Sequence, residues 1–227
     1  MSLLSRLANW LDPAACLICG QSQSWLCPFC FSKIKQKAPR CFTCGCLNQS
    51  GLCLDCSPGW QLDGIIAAGS YSDRRLRQLI KAYKYRFSKQ LSGPLSSLLI
   101  KAYRKQAPLA NICPTAIAAI PLHCSRERWR GFNQSLLLAN KIAKTEDWPL
   151  LNGLKRKKAG NSQAGLSITK RKQNLIGAFS YEGPKLDGEE ILIIDDVITS
   201  GQTLNQAAKV LKKAGAESVW ALVLAKK

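Results

Sequence analysis

The sequence predicts an α/β domain with a mainly parallel sheet, preceded by a cysteine-rich module that binds zinc. Two observations support this prediction. Four Cys-x-x-Cys pairs lie between residues 16 and 56, and apolar strand segments alternate with helical segments from Asp63 onwards. The 227 residues suffice for one full domain and a small appendage. We therefore expect a short helix at 1–15, a double zinc ribbon at 16–58 and the α/β domain at 59–227.

The first segment predicts a short docking helix, because its apolar residues recur at helical spacing. A foot on a membrane surface is the alternative interpretation. The segment lacks the basic start and the cleavage site of a signal peptide. No part of the sequence stays apolar for the ~20 residues of a membrane span. We therefore expect a cytoplasmic chain whose thiols stay reduced. The apolar residues at helical spacing are Leu3, Leu4, Leu7, Trp10 and Leu11.

The cysteine-rich segment predicts two structural zinc sites. Two thiolates with two residues between them can hold one side of a tetrahedral zinc ion, and a second such pair completes the site. A redox-active Cys-x-x-Cys needs only one pair, so it does not explain four. The predicted Zn²⁺ ligands are Cys16, Cys19, Cys27, Cys30, Cys41, Cys44, Cys53 and Cys56.

The same segment is an internal repeat, which favours one zinc ion per copy over an interleaved arrangement. Gly20 and Gly45 follow the second cysteine of each copy, where the turn favours positive φ. Cys46 is left over as a spare thiol. Because the module is too small to bury a core, the metal supplies its folding energy, on the order of 10–16 kcal/mol per site. Outside the module, Cys113 and Cys124 are expected to be buried as small apolar residues.

The α/β domain is predicted from the alternation of apolar runs and amphipathic segments. The run at 191–194 is continuous, as expected of a strand that is buried on both faces of a parallel sheet. The polar, basic stretch at 155–174 predicts a mobile loop. The predicted strands are 65–68, 116–120, 178–181, 191–194 and 219–224, and the predicted helices are 73–84, 88–104, 133–144 and 202–214.

The candidate site follows the buried strand. Asp195 and Asp196 lie at its carboxyl end, which is the usual ligand edge of an open α/β sheet. A short loop of hydroxyl residues and glycine then opens a helix, and such a loop can hold one phosphate. A sugar phosphate satisfies both halves, because the carboxylates accept its hydroxyls and the loop holds its phosphate.

This segment resembles the phosphoribosyl pyrophosphate (PRPP) motif of type I phosphoribosyltransferases. The resemblance covers Ile191 to Thr203, with its apolar strand, acidic pair and threonine–glycine loop. It implies that Asp195 and Asp196 take the ribose hydroxyls. It implies that the 5′-phosphate is held by Thr199, Ser200, Gly201, Gln202 and Thr203. It also implies a type I phosphoribosyltransferase-like sheet and a Mg²⁺ ion that accompanies PRPP.

Further stretches resemble the ComF family, which includes the GntX-like proteins. They are Pro-Leu-His at 121–123 with Arg-Gly-Phe-Asn-Gln-Ser at 130–135, Ser-Gln-Ala-Gly-Leu at 162–166, and the segments 171–174 and 177–179. The paired zinc motifs are also typical of that family. The resemblance therefore spans nearly the whole chain.

The resemblance implies where pyrophosphate binds. The loop after the first sheet strand would hold it, with His123, Arg126, Arg130 and Gly131 nearby. A surface or packing role is the alternative for His123. The basic segment 156–172 would be a lid that brings Lys170 or Arg171 onto the pyrophosphate. These two residues, with Asp195 and Asp196, would form the catalytic group. A solvated linker is the alternative interpretation of the segment.

The chain is strongly basic, with 33 Lys and Arg against 14 Asp and Glu and a formal net charge of +19. The excess lies at 61–110, with +8, and at 151–182, with +6. This excess predicts binding of an anion, which could be nucleic acid, an anionic membrane or a phosphorylated ligand. The alternative is that the charges lie on two solvated helical faces and bind no partner. The hydrophobic fraction of 46% excludes wholesale disorder.

Three classes of function remain open. The resemblance implies a part in competence or the use of external DNA, with partners in the DNA-uptake machinery. The chain could be a phosphoribosyltransferase, which displaces pyrophosphate from ribose. It could instead be a PRPP or nucleotide sensor that binds single-stranded DNA on its basic helices, or a purely structural adaptor. The aromatic residues among those helices are Tyr83, Tyr85, Phe87 and Tyr103, and core packing explains them equally well.

Overall fold

The computed structural model describes residues 15–21, 24–36, 38–85, 89–157 and 177–227. The predicted N-terminal helix lies outside the described residues except for its last residue, Ala15. Phe87, Lys170, Arg171 and the segment 162–166 lie outside them as well. Among the helices of the described part, none is long and apolar enough to cross a membrane.

A four-stranded parallel sheet lies at the centre of the fold, with strand order β1-β6-β5-β2. A second, antiparallel pair is formed by β3 and β4. This arrangement confirms the predicted mainly parallel α/β sheet. The strands are β1 (Gly64–Ser70), β2 (Ala116–Ala119), β3 (Leu154–Arg156), β4 (Phe179–Tyr181), β5 (Glu190–Ile198) and β6 (Ser218–Lys226).

Helices cover both faces of the central sheet, because its inner strands alternate apolar side chains between the two faces. On one face, Leu192 and Leu222 pack in the core cluster that includes residues of α2, α3 and α5. On the other, Ile193 and Ala221 pack in the cluster that includes α6. The helices are α1 (Pro28–Ser32), α2 (Arg74–Tyr85), α3 (Ser92–Gln106), α4 (Cys124–Arg130), α5 (Gln134–Glu146) and α6 (Gln202–Lys213).

The prediction of a loop over 155–174 was wrong at its start. Lys155 and Arg156 belong to β3, which pairs with β4 through Lys155–Ser180 and Arg156–Phe179. The pairing partner lies more than twenty residues further along the chain, so local polarity did not reveal the strand. The helix predicted at 88–104 begins later, at Ser92, after a 3₁₀ turn at Lys89–Leu91.

The two cysteines outside the zinc module are exposed, so the prediction that they are buried was wrong. Cys113 lies in the connection before β2, where its N–H donates to the Glu190 carboxylate. Cys124 is the first residue of α4 on the loop that follows β2. Both therefore lie in polar connections rather than in the core.

Candidate functional site

The acidic pair lies at the carboxyl end of β5, where the strand extends beyond its neighbour. Pairing with β2 ends at Ala119–Ile194, whereas pairing with β6 continues to Ile198–Lys226. Asp195 and Asp196 are therefore inside the strand rather than after it, next to the open side that β2 leaves. This placement brings the pair close to the first turns of α5 and the last turn of α2.

Asp196 forms an ion pair with a lysine that the sequence did not identify. Lys84 Nζ lies 2.7 Å from an Asp196 carboxylate oxygen, and only 20% and 12% of the two side chains are exposed. Burial disfavours the charge on Lys84, but the neighbouring Asp196 outweighs it and raises the pKa of Lys84. Lys84 is therefore a cation beside the site at neutral pH.

Asp195 is held by hydrogen bonds. Its carboxylate accepts hydrogen bonds from the Ser135 hydroxyl at 3.0 Å and from the Asp196 N–H at 2.8 Å. Burial and the negative charge of Asp196 raise the pKa of Asp195 to about 7. Asp195 is therefore partly protonated near neutral pH, and a bound cation can bring it to the ionised state.

The loop after β5 has the form that a phosphate site needs. Thr199 and Ser200 are exposed, and Gly201 has φ of 71° immediately before α6. Only glycine adopts such a φ without strain, and it directs the chain into the first turn of α6, where backbone N–H groups are free to bind an anion. Gln202 and Thr203, in that turn, are partly exposed. The loop and Asp195 line the same small pocket.

The loop after β2 forms a second wall. His123 is the N-cap of α4, and its Nδ1 accepts the Ser125 N–H at 3.3 Å. The Arg130 guanidinium donates to Gln134 Oε1 at 3.1 Å and lies 5.7 Å from the centre of the Tyr85 ring. His123 thus has a structural role at the start of α4, while Gly131 ends that helix with a left-handed φ of 70°.

Four basic side chains interact electrostatically with the carboxylates or with one another. Arg130 contributes to the electrostatic field at Lys84. Burial and the charge of Arg126 lower the pKa of Arg156, whereas Asp195 opposes that shift. Lys84, Arg126, Arg130 and Arg156 therefore come from α2, α4 and β3 to one region around Asp195 and Asp196. Such an arrangement can bind a multiply charged anion.

Two buried donors at this place have no hydrogen-bond partner among the described residues. They are Nε of Arg130 and Nε2 of Gln134, and the Gln134 side chain is only 1% exposed. Buried donors in proteins are nearly always satisfied. Because Arg130 also donates to Gln134 Oε1, the two unpaired donors lie close together.

Sequence reasoning missed Lys84, Gln134, Ser135 and Arg156 as site residues. Gln134 and Ser135 were part of the Arg-Gly-Phe-Asn-Gln-Ser stretch, so the signal was present, but no chemistry was inferred for them. Lys84 and Arg156 lay in the basic regions 61–110 and 151–182, where one cation cannot be distinguished from its neighbours.

The thiols of the N-terminal module form two clusters, in sequential order as predicted. Each group holds four sulfur atoms within 4.8 Å of one another, and four such thiols suit tetrahedral Zn²⁺. Gly20 and Gly45 have φ of 78° and 82°, as the knuckle turns require. The first group is Cys16, Cys19, Cys27 and Cys30, and the second is Cys41, Cys44, Cys46 and Cys53.

Cys46, which was predicted to be a spare thiol, has its sulfur inside the second group. The thiol of Cys56, which was predicted as the fourth ligand, also hydrogen-bonds Cys53 and Cys44. Five thiols therefore surround a site that needs four. Cys46 follows Cys44 by two residues, a spacing that the Cys-x-x-Cys pattern does not include.

The comparison with family models agrees with the fold and with the geometry of this site. A model described as "Phosphoribosyl transferase domain" matches residues 133–227, which include Ser135, the acidic pair and the loop before α6. The described part of the chain thus has a type I phosphoribosyltransferase-like domain behind a cysteine-rich module with two potential zinc sites.

Comparison with curated proteins identifies the family. The chain is 35% identical over 215 residues to Competence protein F of Haemophilus influenzae, which covers 90% of this chain and 92% of that protein. It is 29% identical over 221 residues to DNA utilization protein YhgH of Escherichia coli K12, covering 95% and 91%. The chain belongs to the ComF family of competence and DNA-utilisation proteins.

Solved structures with a similar fold are more distant. One is the glutamine phosphoribosylpyrophosphate (PRPP) amidotransferase from B. subtilis, at 19% identity and a TM-score of 0.43. The similarity covers 63% of this chain and 30% of that chain.

Proposed function

We propose that this chain is a cytoplasmic protein that binds PRPP with Mg²⁺ and acts in the uptake or use of external DNA, together with proteins of the uptake machinery. One observation carries the proposal: a carboxylate pair adjoins the loop 199–203, Lys84 contacts Asp196, and three arginines lie within electrostatic range of this group. The two unpaired buried donors of Arg130 and Gln134 support it. Eight or more reduced thiols are consistent with a reducing compartment.

Each part of PRPP has matching chemistry in the site. Asp195 and Asp196 would accept the ribose hydroxyls, and the N–H groups and hydroxyls of 199–203 would bind the 5′-phosphate. Arg126 and Arg130 would bind the pyrophosphate, with His123 and Gly131 shaping that loop. Lys84 and Arg156 would add charge there. Lys170 or Arg171 would complete the contacts from the segment 156–172.

As an enzyme, the protein would transfer the phosphoribosyl group to an acceptor. The bond between ribose C1 and the pyrophosphate oxygen breaks, the pyrophosphate keeps the electron pair, and the acceptor's lone pair bonds to C1. The basic side chains stabilise the leaving group. The two carboxylates also offer oxygens for Mg²⁺, which would neutralise part of the pyrophosphate charge. No covalent intermediate with the protein is needed.

Calorimetric titration of the zinc-loaded full chain with PRPP and Mg²⁺ tests this proposal. Asp195→Ala should abolish measurable binding, because the ribose loses a hydrogen-bond acceptor inside a buried site. Asp187→Ala is the matched control, since Asp187 is exposed in a distant connection. Unchanged PRPP affinity in Asp195→Ala would contradict the assignment. Release of pyrophosphate in the presence of an acceptor would then separate a transferase from a sensor.

A second candidate is a non-catalytic PRPP or nucleotide sensor that binds single-stranded DNA. The supporting observation is the outer side of α2, a helix with no acidic residue. Arg74, Arg77 and Lys81 line a groove there with the Tyr85 ring, which is 57% exposed. Cations that follow a backbone and an aromatic ring that stacks on a base are the elements of such a surface.

Two other aromatic residues of the proposed track, Tyr83 and Tyr103, belong to the core instead. Tyr83 is fully buried, and its hydroxyl donates to the Gln134 carbonyl. Tyr103 packs edge-on against Trp148, with ring centres 5.0 Å apart. Core packing therefore explains these two residues, and Tyr85 is the exposed ring among the described aromatic residues of the two basic helices.

Binding of a labelled oligonucleotide at several salt concentrations tests the second candidate. Affinity should fall steeply with salt, and Lys81→Ala should lower the salt slope by about one phosphate contact. Lys105→Ala, an exposed lysine on α3, is the matched control. Binding that does not depend on salt, or equal effects of the two variants, would contradict a track on α2.

A further inference from the structure

Two aromatic rings, Phe42 of the zinc module and Trp60 just after it, lie against the loop 199–203. A Cβ atom placed on Gly201 would come within 2.9 Å of the Trp60 ring and 3.1 Å of the Phe42 ring. The two rings contact each other edge-on, with centres 4.6 Å apart. The backbone of the loop therefore rests on Trp60 and Phe42 at the residue where the chain turns into α6.

Both aromatic residues lie close in sequence to cysteines of the second thiol cluster. Phe42 follows Cys41, a fully buried member of that cluster, and its N–H donates to the Gly51 carbonyl at 2.8 Å. Trp60 follows the Cys56 turn, and its N–H donates to Ser57 at 2.9 Å. Their positions are thus set by the backbone that carries the thiols.

Further contacts join the second cluster to the same edge of the sheet. The Gln61 N–H donates to Oδ1 of Asn205, in the first turn of α6, at 2.6 Å. Lys226 Nζ, at the end of β6, donates to the Cys41 carbonyl at 3.2 Å. The second cluster therefore contacts the start of α6 as well as the loop.

Both rings pack against the core cluster on the α6 side of the sheet and also against the buried residues of the second cluster. The buried core of the second cluster consists of Cys41, Cys53 and a single other apolar residue, Leu52. A pocket of about 230 Å³ adjoins Phe42, so the ring is not fully enclosed by protein. A module with so small a core depends on its metal to be folded.

The first cluster contacts a different part of the molecule. Arg75, at the start of α2, donates to the Lys33 carbonyl at 3.0 Å, and Gln78 donates to the Leu17 carbonyl. Trp25 packs against the core cluster on the α2 side of the sheet. The residues around the second thiol cluster therefore contact the loop 199–203, whereas those around the first contact α2.

We infer that the second zinc site is a structural part of the phosphate loop, so that metal at Cys41, Cys44 and Cys53 fixes the loop 199–203 and the first site does not. Trp60 and Phe42 are positioning residues, because they act through the Gly201 backbone. A loop that is held in its binding conformation pays no ordering cost when an anion binds. Loss of the second metal lowers PRPP affinity, a consequence that rests on the proposed function.

The test compares the loss of two thiols from each site in the full chain. The double variant Cys41→Ser/Cys53→Ser leaves three of the five thiols of the second cluster, and Cys16→Ser/Cys30→Ser leaves two of the four thiols of the first. Each double variant should lose one of two bound zinc ions. Amide hydrogen exchange at residues 199–205, measured without PRPP, should rise about tenfold or more in Cys41→Ser/Cys53→Ser alone. Equal exchange in both variants, raised or unchanged, would overturn the inference.

A second pair of variants keeps all the thiols. Trp60→Ala should raise exchange at 199–205 and weaken PRPP binding about tenfold or more, and Trp60→Phe should restore most of both. Trp25→Ala, the matched tryptophan beside the first cluster, should change neither. Unchanged loop exchange in Trp60→Ala, with zinc retained, would refute the positioning role. If the unmodified chain binds no PRPP, the proposed function fails, and the exchange measurements still decide the inference.

Discussion

Replacing Asp195 by asparagine should stabilise the ligand-free protein, although it removes a carboxylate from the proposed ribose site. Burial and the Asp196 charge raise the pKa of Asp195 to about 7, whereas an unfolded aspartate titrates near pH ~3.9. At about 1.36 kcal/mol per pH unit, the ionised group costs the folded state roughly 4 kcal/mol as an upper limit. Because the side chain is partly exposed to water, we expect a gain of about 1–3 kcal/mol.

The gain should depend on pH with a defined sign. Below about pH 4 the carboxyl group is neutral in both states, so asparagine offers no advantage. The cost of Asp195 grows as the pH rises through its unfolded and folded pKa values, and it is constant above about pH 7. Urea unfolding of both proteins in saturating zinc at pH 5, 6 and 8 measures this difference, since the zinc ligands are the same in both.

Asp196→Asn is the control, and its effect should have the opposite sign. It leaves the half-buried Lys84 ammonium without its partner at 2.7 Å, which should cost about 1–3 kcal/mol, below the 3–5 typical of fully buried pairs. Two neighbouring carboxylates would thus give opposite changes in unfolding free energy. Equal destabilisation by both variants, or no dependence of the Asp195→Asn effect on pH, would refute the reasoning.

Three further predictions concern the site and the zinc module. Lys84→Met should weaken PRPP binding about tenfold or more, whereas Lys81→Met, three residues earlier on the exposed side of α2, should not. Calorimetric titration measures both affinities, and equal PRPP affinity in the two variants would contradict this prediction. Removing metal with a chelator should release two zinc ions and unprotect the amides of 16–56 in hydrogen exchange, because thiolate–zinc bonds supply the folding energy there; retained protection would exclude structural zinc. Iodoacetamide should label Cys113 and Cys124 of the zinc-loaded protein within minutes, because these thiols are not held by metal. Whichever of Cys46 and Cys56 is not a zinc ligand should be labelled with them. Mass spectrometry that finds all clustered thiols labelled equally fast would contradict this.

The fold could be predicted because its elements are marked by local patterns. The apolar run before Asp195 forms β5, and the amphipathic segment after Asp73 forms α2, within a few residues of the expected bounds. Asn133 is the cap of α5, as predicted, and accepts the Ser135 N–H at 3.0 Å. In each case, the residues that determine the element lie inside it or next to it.

The parts that could not be predicted depend on contacts between distant residues. Lys84 lies between buried Tyr83 and exposed Tyr85 on α2, so helical spacing does not decide whether it faces solvent or the acidic pair. Arg156 is brought to the site by pairing with Phe179, across the segment 158–176. Cys46 reaches the second cluster because the Cys41–Cys46 turn closes through a backbone hydrogen bond of 2.8 Å.

The structure divides the positive charge of the chain between at least two uses. Several cations are paired on the surface, such as Arg104 with Glu146 and Lys155 with Glu182, and surface pairs of this kind contribute little stability. Lys84 contacts Asp196 and Arg156 interacts electrostatically with Asp195, where the proposed sugar phosphate and its pyrophosphate would bind.

The cations on the outer side of α2 are not explained by that ligand. They lie on the same helix as Lys84, and Tyr85 separates the two groups. Arg130 contacts the Tyr85 ring and also Gln134 in the pyrophosphate region. A pyrophosphate that engages Arg130 therefore alters the charge beside Tyr85. If both proposed ligands bind, PRPP must change the affinity for single-stranded DNA, and by thermodynamic linkage DNA must change the affinity for PRPP by the same factor.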